Sequence, residues 1–377
     1  MWWVALLLAA VGSWWLVGTP DAAGGGGRRT GAIWFFGLGP VVVAAIVLAG
    51  AYRRVHERLR WPLLLIAAYL ASAAWTLTLA ATRGTLETTG DVPPGSAPPL
   101  TGRVLDALAG SGVNEALAAM LLCSAGALAT PLVAVAVRSV SDELSARRLV
   151  PVLTLAAYAL LGDNVEAIAL ALGAGMLAVA AVASEPGRPG LARLGLAVLC
   201  GLLLGAAALF GYSAILLAAG AVCVFFVRRR PLLNIATGLG FFVPLLAAQS
   251  AGLDWTEDLG AALQTGTGEH LYTEGLVAAV VVLLILGGPA LVASLRSMRT
   301  TPAWPFLVAG GAAVMASVVA GLVSDRLEPG AWLPALPWLL VAGIAPARQG
   351  GPSVPTPLGL VAVGAGAACV VALLVAR

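Results

Sequence analysis

GLAVLCGLLLGAAALFGYSAILLAAGAVCVFFVRRRP, residues 195–231, decides the fold. No charged side chain interrupts residues 195–227, and three arginines, Arg228, Arg229 and Arg230, follow at once. A helix needs roughly 20 apolar residues to cross a bilayer, so this run is too long for one crossing and folds back at Gly211. It reads as two helices, 195–210 and 212–227, returning to the side where the arginines wait.

The rest of the 377 residues repeats that pattern. Hydrophobic residues make up 60% of the chain and charged ones only 10%, and mean hydropathy is +0.96. A soluble domain carries about a quarter charged residues, so this composition excludes a soluble globular protein and leaves no room for a soluble catalytic domain. Apolar runs between charged or Pro/Gly-rich breaks predict about 13 spans: 2–18, 32–52, 61–82, 116–137, 149–161, 167–184, 195–210, 212–227, 231–251, 276–295, 304–323, 335–347 and 357–376. The fold class is all-α, a polytopic transmembrane bundle. The first run lacks a basic leader and a clear small-residue cleavage site, and reads as a membrane anchor. Residues 1–60 group as N-terminal spans, 61–347 as the core with its outer loops, and 348–377 as a C-terminal span.

Charge placement then orients the chain. Basic residues gather on the cytoplasmic side of short loops. With the N-terminus cytoplasmic, fifteen of the 21 arginines lie in inner loops, whereas fourteen of the 18 acidic residues lie outside. Acids contribute little to orientation, so their gathering calls for another reason and points to chemistry on the outer face of a cell membrane. The inner arginines need only orientation and contact with anionic membrane lipid; no nucleic-acid partner is expected.

Three outer loops carry the acids: 83–115, 252–275 and 324–334. The first holds Glu87 and Asp91 before a Pro-rich stretch and an amphipathic segment at 102–109. A carboxylate there could act as general base toward an acceptor hydroxyl, or hold a divalent cation against a phosphate leaving group; a solvated loop with incidental acids is the plainer alternative. The second holds Trp255, an aromatic platform, with the cluster Glu269-His270-Leu271-Tyr272; His270 titrates near neutrality and can shuttle protons, although Trp and Tyr also serve as interfacial anchors. In the third, Arg326 suits a lipid-linked phosphate because its fork matches phosphate oxygens, with Asp325 and Glu328 as the competing ion-pair partners. The turn Gly162-Asp163-Asn164-Val165-Glu166 reads as a helix start, with Asp163 or Asn164 as cap and Glu166 complementing the dipole.

Inside the spans, Gly201 and Gly205 stand at GxxxG spacing, and glycine pairs recur at Gly310-Gly311; in lipid such residues let helices approach closely. Cys123, Cys200, Cys223 and Cys369 all fall in apolar runs and read as small buried hydrophobes. No ionisable residue sits deep in a span, which disfavours an ion-coupled transporter.

Several stretches together resemble a known family. They are LLLIAAYLASAAWTLTLA at 63–80, Pro93-Pro94-Gly95 with the following RVLDALAGSGV, VRSVSDELSARRLVPVLTLAAYAL at 137–160, LGAAALFGYSAILLAAGAVCVFFVRRRP at 204–231 and GLVSDRLEPGAWLPALPWLL at 321–340. The chain resembles, as a divergent bacterial member, the GT-C fold glycosyltransferases, integral membrane enzymes that take a sugar from a polyprenyl-phosphate donor on the outer face. The resemblance implies an acidic catalytic residue in the first large outer loop, here Glu87 or Asp91. Arg326 would hold the donor phosphate, and Trp255, His270 and Tyr272 would line the acceptor site. Val92 and Pro329-Gly330 depart from the family pattern, and on them rests an alternative: a catalytically inactive membrane partner, or a transporter of lipid-linked intermediates.

Overall fold

The computed structural model describes residues 57–83, 98–110, 115–162, 164–265, 283–284, 286, 291, 303–319 and 329–341. Among these residues every regular element is helical. The elements are α1 (Glu57–Arg83), α2 (Pro99–Gly110), α3 (Glu115–Ala127), α4 (Ala129–Val140), α5 (Glu143–Thr154), α6 (Glu166–Ala183), α7 (Gly190–Phe210), α8 (Ala218–Val227), α9 (Leu233–Ser250), α10 (Trp255–Thr265), α11 (Trp304–Val319) and α12 (Leu336–Val341). Short 3₁₀ turns join them at Ala157–Leu161, Tyr212–Leu217 and Pro329–Trp332. Five stretches are long and apolar enough to cross a membrane: Glu57–Leu77, Leu117–Val140, Glu166–Ala183, Gly190–Phe210 and Leu233–Ser250. The expected spans at 2–18, 32–52 and 357–376 lie outside the described residues, as does nearly all of 276–295.

The outside of the bundle is apolar, as lipid requires. On α9 and the residue before it, Leu232, Ile235, Leu239, Phe242, Val243 and Leu246 are between 54% and 76% exposed. Their three- and four-residue spacing puts them on one stripe of the helix. The interior is built around α6, whose Met176 and Leu177 are fully buried, together with Phe225, Phe306, Trp332 and Trp338. Phe306 and Trp338 pack with ring centroids 5.0 Å apart.

Because lipid tails are as apolar as leucine, packing and interhelical hydrogen bonds hold such helices together rather than hydrophobic burial. Glycine supplies the packing. An added Cβ on Gly201 would stand 2.0 Å from the Thr237 carbonyl oxygen, and one on Gly240 would stand 2.3 Å from that of Val198, so α7 and α9 meet backbone to backbone as the GxxxG spacing predicts. Gly310 faces α12 in the same way, but Gly311 has open space beside it. Polar links add to this. The Thr237 hydroxyl donates to the Ala197 carbonyl at 3.0 Å, and the Ser72 and Thr130 hydroxyls pair at 3.0 Å between α1 and α4. Cys123 and Cys200 are buried free thiols and Cys223 a partly buried one.

Successive crossings run in opposite directions, which sorts the loops into two ends. One end collects Arg58, Arg60, Arg138, Arg147, Arg148, Arg188, Arg193 and Arg228 to Arg230. There Arg138 lies 4.3 Å over the Trp61 ring and 3.0 Å from Glu143, while Arg147 also pairs with Glu143. Arg188 pairs with Glu185 at 2.8 Å; Ser139 donates to that same carboxylate at 2.8 Å, and Arg228 donates to the Ser139 carbonyl at 3.0 Å. Half-exposed pairs contribute at most about 1 kcal/mol each, so this network sets the register of helix ends more than it stabilises them.

The expected span 116–137 corresponds to the stretch Leu117–Val140, within which a turn at Leu128 divides α3 from α4. Two local expectations are corrected. The expected span 149–161 starts earlier, at Glu143, because Asp142 caps it: its carboxylate accepts from the Ser145 N–H and hydroxyl, each at 2.7 Å. It ends at Thr154, with Ala156 in extended backbone before the 3₁₀ turn. Asn164 does not cap α6, and Asp163 lies outside the described residues. The N-cap is Val165, already in helical backbone and without a side-chain bond. The Asn164 N–H donates to the Leu161 carbonyl and the Ala167 N–H to the Asn164 carbonyl, so backbone replaces the cap. Glu166 does occupy the first turn.

The Asp142 cap carries a prediction. Burial pushes its carboxyl up, but hydrogen bonds from Ser145, Ser141 and Leu144 outweigh burial and hold it below the usual carboxylate range. Asp142→Ala is expected to cost about 1 kcal/mol at neutral pH. Since the folded-state value is depressed, the stabilisation is full above the ordinary value near pH 4 and fades as pH falls through the folded one. Thermal unfolding of wild type and variant should therefore show a gap at pH 7 that narrows below pH 4; a gap independent of pH would refute the charged cap.

Candidate functional site

At the end opposite the arginines, one corner gathers the flanks of all three acid-bearing loops. It forms where α7 stops at Phe210: Gly211 takes extended backbone, and Tyr212 opens a 3₁₀ turn. From the first loop, the amphipathic segment is the helix α2, and the hydroxyl of its buried Thr101 donates to the Phe210 carbonyl at 3.3 Å. From the second, the Trp255 indole N–H donates to the Ala208 carbonyl at 3.2 Å. From the third, the Ala331 carbonyl accepts the Ser213 hydroxyl. The order of the chain separates these contacts by up to 118 residues.

Trp255 begins α10, and its position is set by the residue before it. The Asp254 carboxylate accepts from the Thr256 hydroxyl at 2.7 Å and from the N–H groups of Thr256 and Glu257 at 3.2 and 3.3 Å. The Thr256 hydroxyl and the Glu257 N–H hold this carboxyl below its ordinary range. It is a helix cap, with its Oδ1 taken up by Thr256 and Glu257. With its N–H occupied, Trp255 offers a fixed ring. The Tyr212 ring lies beside it, centroids 6.3 Å apart and tilted by 59°, an arrangement aromatic pairs favour.

Of the residues singled out from the sequence, Trp255 is therefore placed at this corner. Glu87, Asp91, His270, Tyr272 and Arg326 lie outside the described residues, each in a loop whose described flank reaches the corner. No group of three or more His, Cys, Asp or Glu that could hold a metal ion occurs among the described residues. Sequence reasoning missed Tyr212 and Ser213. Their signal was the Gly-Tyr-Ser break between two spans, which marks a loop without telling what the loop meets.

Apolar helices, two ends that sort the loops and a corner fed by three acid-bearing loops define a polytopic membrane protein. Its fold is GT-C-like: it is similar to that of ArnT from Cupriavidus metallidurans, solved as a crystal structure bound to undecaprenyl phosphate, at a TM-score of 0.52 and 19% identity. The similarity covers 77% of this chain and 60% of ArnT, so the chain spans well under two thirds of that protein's length. No protein-family model matches the chain, and no curated protein matches it in sequence.

Proposed function

We propose that this chain is a membrane glycosyltransferase that moves a sugar from a polyprenyl-phosphate donor to an acceptor on the outer face of the cell membrane. The observation that carries the proposal is the convergence of the three acid-bearing loops on the Phe210–Ser213 corner. The fold adds support, since ArnT shares it and was captured with undecaprenyl phosphate. The arginine-rich end then faces the cytoplasm, which places the N-terminus inside.

In this reading the transfer inverts the anomeric centre. The acceptor oxygen attacks the anomeric carbon as the bond from that carbon to the phosphate oxygen breaks. The acceptor's proton passes to Glu87 or Asp91 as general base, and the electron pair of the broken bond leaves with polyprenyl phosphate. Arg326 holds that phosphate with its guanidinium fork. Trp255 presents its fixed ring to the acceptor, with His270 and Tyr272 on the same loop system. The carboxylates Glu87 and Asp91 are hard oxygen donors of the kind a divalent cation takes; a bound cation would supply charge to the leaving phosphate.

The test is turnover by detergent-purified protein with polyprenyl-phosphate-linked glucose, mannose and arabinose, with and without Mg²⁺ or Mn²⁺. Release of polyprenyl phosphate is the expected result. Donor binding without release, from a folded sample, would favour the non-catalytic alternative, and failure to bind any polyprenyl phosphate would sink both.

A further inference from the structure

Tyr212 is 8% exposed, and its hydroxyl has no hydrogen-bond partner among the described residues. Buried polar groups nearly always find one, and an orphaned hydroxyl at a loop junction calls for a reason. Trp255 beside it cannot serve, because its N–H is spent on Ala208. The hydroxyl of Ser213, next in sequence, donates to Ala331 and is not a partner of Tyr212. Among the described residues, the corner thus presents a fixed aromatic pair with an uncommitted hydroxyl, at the point where the flanks of all three acid-bearing loops meet.

We propose that the Tyr212 hydroxyl is a specificity-determining contact that hydrogen-bonds a ring hydroxyl of the transferred or receiving carbohydrate. This inference rests on the glycosyltransferase reading above and deepens it. The chemistry selects a neutral sugar over the other candidate, the phosphate. Glu257 and Asp258 give the first turn of α10, which Trp255 begins, two negative charges, and these repel an anion. A sugar ring brings hydroxyls that both donate and accept, for Tyr212, and an apolar face, for Trp255.

The experiment is Tyr212→Phe in the full-length protein. Three quantities are read: the thermal unfolding midpoint, the affinity for glucosyl, mannosyl and arabinosyl polyprenyl phosphates against bare polyprenyl phosphate, and the affinity for maltose and mannobiose as soluble acceptor surrogates. Removing a hydroxyl that has no partner in the free protein is expected to leave the midpoint unchanged or raise it. Losing its bond to the sugar is expected to weaken binding about three- to tenfold. A loss confined to the glycosylated lipids, with bare polyprenyl phosphate unaffected, assigns the subsite to the donor sugar; a loss confined to the disaccharides assigns it to the acceptor. A fall in the midpoint would mean the hydroxyl is satisfied inside the fold, and unchanged affinity throughout would mean it touches no sugar; either overturns the proposal. If wild type binds none of the lipids, the glycosyltransferase reading itself fails and takes the subsite with it. That outcome is distinct from a Phe variant that behaves like a binding-competent wild type.

Discussion

Replacing Glu87 and Asp91 together with Ala is expected to lower sugar transfer by about 10²–10⁴-fold, the range a positioned general base contributes, while donor binding survives. The physical basis is the demand of the acceptor hydroxyl: it is a poor nucleophile until a base accepts its proton as the new bond forms. Among the acids in the described part of the second loop, Asp254 is taken up in starting a helix. It caps α10, and Glu257 and Asp258 stand in that helix's first turn. Glu87 and Asp91 are the acids of the first loop that precede α2, and α2 is fastened to the corner through Thr101. The measurement is release of polyprenyl phosphate at saturating donor, paired with donor affinity. A drop in turnover with donor affinity held within about threefold supports the base assignment; unchanged transfer at normal expression would end it. Equal loss of binding and turnover would instead give the carboxylates a role in holding the donor, through a cation or directly.

Much of the fold was legible in sequence because lipid imposes one strong rule, a long apolar run for each crossing, and the runs at 61–82, 167–184, 195–210 and 231–251 obey it. The glycine seam was legible for a related reason: Gly201 and Gly205 lie on one helix face by spacing alone. What escaped were features set by backbone geometry within runs of uniform hydropathy. Nothing in MLLCSAGALATPL announces the turn at Leu128, and the Asp142-to-Ser145 cap that starts α5 was masked by reading the span from its apolar part. Val165 takes the cap position because the carbonyls of Asn164 and Val165 already accept from the N–H groups of Ala167 and Ile168, a continuity no residue type encodes. The site was legible only as loops. That Tyr212 meets Trp255, 43 residues on, depends on how α7 and α9 return side by side, and an isolated tyrosine at a membrane boundary looks like any interfacial anchor.

The return of α7 and α9 leads to the largest structural effect. Gly201→Ala is expected to destabilise the protein by about 2–3 kcal/mol, as overpacking of a tight interior does, whereas Gly238→Ala on α9 should be neutral or slightly stabilising. The two substitutions add the same methyl group. At Gly238 the methyl meets nothing within 4 Å, and alanine is the better helix former. At Gly201 it would stand 2.0 Å from the Thr237 oxygen and 2.7 Å from the Phe241 nitrogen. Those are backbone atoms of α9, so no side-chain rotation relieves the clash and the helices must separate. Separation would also stretch the Thr237 to Ala197 hydrogen bond and part Gly205 from the Phe241 carbonyl, where an added Cβ would lie at only 2.3 Å. With no hydrophobic force to close the gap in lipid, the whole seam pays for one methyl group. The same displacement reaches the corner: α7 ends in Phe210, one residue of turn from Tyr212, and α9 leads through a short turn into Trp255. A Gly201→Ala protein that still folds should therefore lose sugar affinity in the same direction as Tyr212→Phe, but with a lowered unfolding midpoint, which Tyr212→Phe should not show. Equal midpoints for Gly201→Ala and Gly238→Ala would mean that this backbone contact does not hold α7 to α9, and that the spacing of Tyr212 and Trp255 is set elsewhere.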